Sequence, residues 1–204
     1  MDVSVKLSSM NESERMAEEI VRFIEQSVCD HEPVLVAIDG RCASGKTTTA
    51  ALVAEKLKCS VVHMDDFFLQ SNQRTAERLS EPGGNVDYER VEAEVLQPAK
   101  CGLPIQYQKF DCSRMELGET VRIMPDRFIV VEGAYSCHPK LRDYFDLRIF
   151  MSIDAKTQMA RIKKRNGDER AQMFRDRWIV LEENYIRECN VRECCQMCLQ
   201  AEKR

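Results

Sequence analysis

Residues 33–57 read PVLVAIDGRCASGKTTTAALVAEKL, and this stretch decides the fold. Pro33 to Ile38 is a wholly apolar run of strand length, as in a strand buried on both faces. From Gly40 to Thr47 the chain fits G-x-x-x-x-G-K-[ST] without exception. Glycines let the backbone curl so that successive N–H groups converge on phosphate oxygens. The helix that follows, AALVAEKL, offers its N-terminus to the same anion. In that frame Lys46 reaches the β- and γ-phosphates and the Thr47 hydroxyl ligates Mg²⁺. With a strand directly before and a helix directly after, the stretch predicts a nucleoside triphosphate site built from Gly40, Ala43, Ser44, Gly45, Lys46, Thr47 and Thr48.

Outward from the loop, short apolar runs alternate with helical patterns. Ser9 with Glu12 has capping-box spacing, and Met16, Ile20 and Ile24 then recur every four residues, predicting an amphipathic helix over roughly 11–28. Ser60–Met64, Phe128–Val131 and Leu147–Met151 read as further strands, and Cys194–Leu199 as a short last one. A helix from about Asp87 carries Tyr88, Val91 and Val95 on one face. Ile105–Tyr107 and Val121–Met124 pair as a small hairpin, and His138–Phe145 forms a short helix. Two helices follow, around 155–165 and 170–188, the second with Phe174, Trp178, Leu181 and Tyr185 at 4-3-4 spacing. Residues 66–86 are polar and read as a mobile excursion. Strands alternating with helices predict an α/β fold with a mainly parallel sheet and helices on both faces.

The chain has 204 residues with 34 acidic and 30 basic groups, for a net charge of −4. That length suits one domain over 1–204 with its own core. No repeat or low-complexity tract divides it. The longest uncharged stretch is eight residues, far below the roughly 20 that a spanning helix needs. The first residues lack a secretory apolar region, so the expected compartment is the cytoplasm. Slight acidity argues against a nucleic-acid or membrane surface. The ten cysteines, Cys29 among them, read as small buried hydrophobes kept reduced. Among Cys189, Cys194, Cys195 and Cys198 there is one CxxC, and no His occurs in the last 66 residues, so no metal is expected there.

In open α/β sheets, ligands lie outside the carboxyl ends of the strands. Asp65 and Asp66 follow one strand, and Glu132 ends another in VVEGAYS. A carboxylate beside transferable phosphate takes the proton of an attacking hydroxyl or holds Mg²⁺ through its waters. Between Lys156 and Arg177 there are eight Lys or Arg against three Asp or Glu, densest over 161–170. A solvated helix end is the plain reading of this basic run. A lid that closes over the triphosphate and excludes water is the functional one.

Taken together, IDGRCASGKTT, HMDDFF (63–68), GGNVDYER, VVEG (130–133) and the Arg-rich stretch from 161 resemble the uridine kinase-like branch of P-loop kinases. The resemblance runs from about Pro33 to Tyr185. It implies a three-layer P-loop NTPase sandwich with a small Arg/Lys-rich lid near 161–170, an acceptor-side excursion over 66–124, and ATP with Mg²⁺. It also implies roles. Asp65 is the catalytic base beside Lys46 and Glu132. Thr47, Asp66 and Glu132 attend Mg²⁺, and Arg161, Lys164, Arg165 and Arg170 belong to the lid. Asp87 holds ribose hydroxyls, with Tyr107 and Arg114 also on the acceptor side. The family's uridine pocket uses a Tyr and a His in YDF-x-x-H-SR, and here Cys112 stands at the His position. A thiol is a poor hydrogen-bond partner for a pyrimidine edge.

Three functions follow as alternatives. One is an ATP-dependent kinase of a nucleoside such as uridine or cytidine. Another is a kinase of a different sugar-bearing or vitamin-like alcohol, and the third a non-catalytic nucleotide-binding regulator. An acceptor-side acid set of Asp65, Asp87 and Glu132 separates the enzymes from the regulator. No partner beyond a small-molecule acceptor is implied, and oligomeric state is open.

Overall fold

The structure, a computed structural model, describes residues 10–27, 31–124 and 126–202. In chain order its helices are α1 (Glu12–Gln26), α2 (Lys46–Leu57), α3 (Ala76–Ser80), α4 (88–100), α5 (Ala155–Asn166) and α6 (168–188). The run α4 passes through a π-helical segment at Val91–Leu96, and α6 through another at Phe174–Trp178. The strands are β1 (Val34–Gly40), β2 (Ser60–His63), β3 (Ile105–Asp111), β4 (Glu116–Ile123), β5 (Phe128–Glu132), β6 (Leu147–Ser152) and β7 (Met197–Gln200).

The main sheet has the order β2-β5-β1-β6-β7, and every pairing in it is parallel. All seven residues of β1 are buried, which is why its sequence is an unbroken apolar run rather than an alternation. Successive side chains of a strand point to opposite faces, so β1 feeds two cores. Val34, Val36 and Ile38 pack with Met16, Ile20 and Ile24 of α1 and Ala50 and Val53 of α2. Leu35 and Ala37 pack with Val91, Val95 and Leu96 of α4 and Tyr185 of α6. Helices thus cover both faces in the expected three layers.

Several elements depart from the sequence reading. Ser9 lies outside the described residues, and α1 is capped by Asn11, two positions later. Asn11 Oδ1 accepts the Glu14 N–H at 3.0 Å, and Glu14 accepts the Asn11 N–H at 2.7 Å. The hairpin β3–β4 is longer than its apolar ends suggest. Its register runs from Ile105↔Ile123 to Asp111↔Glu116, through polar residues on the exposed side. Residues 138–145 form no helix, only a single 3₁₀ turn at Arg142–Tyr144. The Leu141 and Arg142 N–H groups both turn back to the His138 carbonyl, and the Tyr144 and Phe145 N–H groups then make only i−3 bonds, to Leu141 and Arg142. The excursion after β2 is pinned by Arg78. Its guanidinium donates to the Gly84 and Val86 carbonyls, pairs with Glu89 and lies 3.8 Å over the Tyr88 ring. The strand expected over 194–199 begins only at Met197, since Cys194 and Cys195 belong to the turn before it. Among the described residues no helix is long and apolar enough to cross a membrane.

Candidate active site

The phosphate loop begins where β1 runs out. Gly40 has φ +137°, and a Cβ there would fall 1.9 Å from the Met151 carbonyl oxygen, so only glycine fits between β1 and β6. Ala43 and Gly45 take positive φ, and Gly45 then caps α2, whose first residue is Lys46. Lys46 is buried and folds back over the loop, its Nζ donating to the Gly40 carbonyl at 2.6 Å and the Arg41 carbonyl at 2.8 Å.

Helix α6 holds the loop from behind. Arg41 makes a fork to Glu183, with Nε at 2.5 Å and Nη2 at 2.9 Å, and the Cys42 N–H donates to Glu182 Oε2 at 2.8 Å. Burial pushes the Glu182 carboxyl up from 4.5 to about 7. Beneath the loop, Asp39 is fully buried. It accepts from the Gly40 N–H at 2.6 Å, the Cys137 N–H at 2.8 Å and the Tyr185 hydroxyl at 2.7 Å. Desolvation still raises its carboxyl above the ordinary value.

The carboxyl ends of β1, β2 and β5 open into one cavity of about 1000 Å³. Lys46, Thr47, Asp65 and Glu132 line it, together with Ala43, Gly45 and Thr48 of the loop and Arg161, Lys164 and Arg165 of α5. The Thr47 hydroxyl donates to Glu132 Oε2 at 3.3 Å, and His63 Nδ1 lies 2.6 Å from Glu132 Oε1. That hydrogen bond raises the His63 pKa. Burial first, and then the charge of Glu132, raises the Asp65 carboxyl, with Lys46 and His63 working against both.

Other residues expected at the site lie away from the cavity wall. Asp65 and Asp66 leave β2 on a 3₁₀ turn, Met64–Phe67, so the two side chains diverge. Asp66 accepts from the Tyr107 hydroxyl at 3.1 Å, and both belong to the contact with β3. Asp87 is fully buried as the cap of α4, accepting from the Arg90 N–H at 3.1 Å and from Gln73 Nε2 at 2.8 Å. Arg114 is exposed and pairs with Glu116. Arg170 is exposed on α6, while Gly40 and Ser44 lie beneath the wall.

The structure adds residues that sequence reasoning left out. Glu12 of α1 enters the wall and pairs with Arg161 at 2.5 Å, while Arg161 Nη1 also donates to the Ala43 carbonyl at 3.3 Å. Nothing in the periodicity of α1 distinguishes Glu12 from its neighbours. Asn85, within the quoted GGNVDYER, lines the cavity with its side chain buried beside the Tyr135 hydroxyl. Tyr135 lines it with φ 77°, a conformation a bulky residue rarely adopts. Phe174 and Trp178, read from sequence as a helix stripe, stand at the mouth. A buried Ser44 Oγ with no partner among the described residues, a loop that needs glycine at Gly40 and a cationic rim fit a polyanionic nucleotide. Thr47 with Glu132 supplies the oxygen donors that Mg²⁺ takes.

A phosphate loop on the central strand of a parallel sheet, with carboxylates at neighbouring strand ends, defines a P-loop NTPase of the kinase type. Comparison with known proteins agrees. The shikimate kinase family model matches residues 42–100. Uridine kinase-like protein 3 of Arabidopsis thaliana is 27% identical over 174 residues, covering 79% of this chain and 35% of that protein. Uridine-cytidine kinase B of Dictyostelium discoideum is 26% identical over 164 residues, covering 74% of this chain and 67% of that protein. The chain therefore spans about a third of the length of the plant relative. A solved structure, described as a possible uridine kinase from Bacillus stearothermophilus, superposes with a TM-score of 0.71 at 18% identity. It covers 93% of this chain and 100% of that one. In sequence the chain is similar to uridine kinase-like proteins, and in fold to a solved P-loop kinase structure.

Proposed function

We propose that this chain is an ATP-dependent phosphotransferase acting on a hydroxyl of a small molecule, with a nucleoside such as uridine or cytidine as the first acceptor class. The observation that carries the reading is that Asp65 shares one cavity with Lys46, Thr47 and Glu132. A module that only binds nucleotide has no use for a buried carboxylate on the acceptor side. When bound, Mg²⁺–ATP supplies the transferable γ-phosphoryl group. Lys46 and the loop amides hold the triphosphate, and Thr47 and Glu132 hold the metal. Asp65 takes the proton of the acceptor hydroxyl, its raised pKa making it a better base than an exposed aspartate. Arg161 and Arg165 stabilise charge on the transferred group, and Phe174 and Trp178 exclude water.

The relatives' names favour a pyrimidine nucleoside, while the acceptor wall favours a second reading, another hydroxyl compound. Cys112 lines the cavity where the family's base-reading histidine is expected, and the Tyr107 hydroxyl is already donated to Asp66. Asp87 would reach ribose hydroxyls only after Gln73 gives way. A coupled ADP-release assay over ribonucleosides, 2′-deoxyribonucleosides and non-nucleoside alcohols tests both. Acceptor-dependent turnover with uridine or cytidine supports the first reading. Turnover with a non-nucleoside alcohol alone supports the second, and no acceptor-dependent turnover across the panel counts against both.

A further inference from the structure

Three thiols from distant parts of the chain meet behind the phosphate loop. The Sγ atoms of Cys137, Cys194 and Cys195 all lie within 4.8 Å of one another, and Cys137 and Cys195 are 3.8 Å apart. Cys137, fully buried, sits in the turn after β5, and the half-buried pair precedes β7. Three thiolates held at about 2.3 Å from a tetrahedral zinc ion are separated by about 3.8 Å. A disulfide needs about 2.05 Å. The Cys137–Cys195 pair stands at that metal-ligand spacing, and Cys194 lies within 4.8 Å of both.

The lone CxxC of the sequence, Cys195 with Cys198, gives no reason to expect a metal, and the cluster in the fold leaves Cys198 out. Cys198 donates to the Arg192 carbonyl at 3.7 Å, while Cys194 and Cys195 both donate to the Val191 carbonyl at 3.1 Å, bonds that thiolate formation would release. The third thiol comes instead from Cys137, 57 positions before Cys194 (194 − 137), which no local motif reveals. We propose that Cys137, Cys194 and Cys195 bind one divalent ion of the zinc class through three thiolates, the fourth position being open to solvent beside the half-buried pair. Binding releases the three thiol protons to solvent and leaves a site of net charge −1. Arg142 complements that charge. Its guanidinium hydrogen-bonds the Cys194 side chain. The bound ion would tie the turn after β5 to the lead-in of the edge strand β7. It would also lie two hydrogen bonds from the phosphate loop, because the Cys137 N–H and the Gly40 N–H both donate to Asp39.

The test uses the reduced full chain and Co²⁺ as a spectroscopic probe, displaced by Zn²⁺. One equivalent of Co²⁺ should produce a thiolate-to-cobalt charge-transfer band, and saturating Zn²⁺ should abolish it and raise Tm. Cys194→Ser and Cys195→Ser, whose side chains are half exposed and whose folds are checked by circular dichroism, should each weaken Zn²⁺ binding at least about 100-fold, beyond the loss of an outer-shell partner. Cys198→Ser and Cys101→Ser should leave the band and the Tm shift unchanged. The proposal is overturned by absence of a stoichiometric band, by a band that survives in the Cys194→Ser/Cys195→Ser double variant, or by one lost in Cys198→Ser.

Discussion

At the scale of single residues, the site turns on which of two adjacent aspartates faces the cavity. Asp65 lines it and Asp66 is occupied by Tyr107. General-base assistance contributes typically about 10²–10⁴-fold. Asp65→Asn should therefore lower kcat by about that factor while an ATP-binding titration stays nearly unchanged. Asp66→Asn should cost about tenfold or less, and Tyr107→Phe about as little, since both disturb only the packing of β3. Steady-state kinetics on the three variants decides the matter, and a mild Asp65→Asn beside a crippling Asp66→Asn would reverse the assignment. Lys46→Ala removes the charge that the loop presents to phosphate and frees the Gly40 and Arg41 carbonyls. ATP turnover should collapse while far-ultraviolet circular dichroism remains that of the wild type.

At the scale of elements, the loop is held by α6 as much as by β1. Tyr185 is the last residue of the 4-3-4 stripe, and its hydroxyl is one of three donors to the buried Asp39. Tyr185→Phe keeps the ring packed against Tyr135, 4.8 Å away, and removes only that donor. Leaving a buried carboxylate short of a partner costs about 1–3 kcal/mol. Urea unfolding should show a loss of that size with an unchanged m-value. The stripe was readable in the sequence because its spacing is helical. Its division of labour was not, because Phe174 and Trp178 leave the core for the cavity mouth while Tyr185 enters the core beneath the loop.

For the molecule as a whole, the buried Glu182 sets a pH window. Its carboxyl titrates near 7 in the folded state against 4.5 ordinarily, so between those values the folded chain holds a proton that the unfolded chain has released. Stability should accordingly be greatest below about pH 4.5 as far as this group decides it, and decline as pH rises to about 7. Glu182→Gln keeps an acceptor for the Cys42 N–H and cannot ionise. Its Tm relative to wild type should improve between about pH 4.5 and 7 and level off above that, a trend that thermal melts from about pH 4.5 to 8 would reveal or refute.

The sequence by itself determined the phosphate loop, the parallel α/β sheet and the carboxylates at its strand ends. Each is a local matter: an eight-residue motif, a run of strand-length apolar residues, a charged residue next in line. Tertiary structure alone decided what those residues meet. It brought Glu12 from the first helix to Arg161 and set Asp87 into a cap. It turned Tyr107 toward Asp66 rather than the cavity. It also gathered Cys137 with Cys194 and Cys195 while leaving Cys198 outside. Periodicity reports which face of an element is buried, but not which element will pack against it. Partners more than a hundred positions apart, such as Asp39 and Tyr185, are joined by the order β2-β5-β1-β6-β7 and by the helices that cover it.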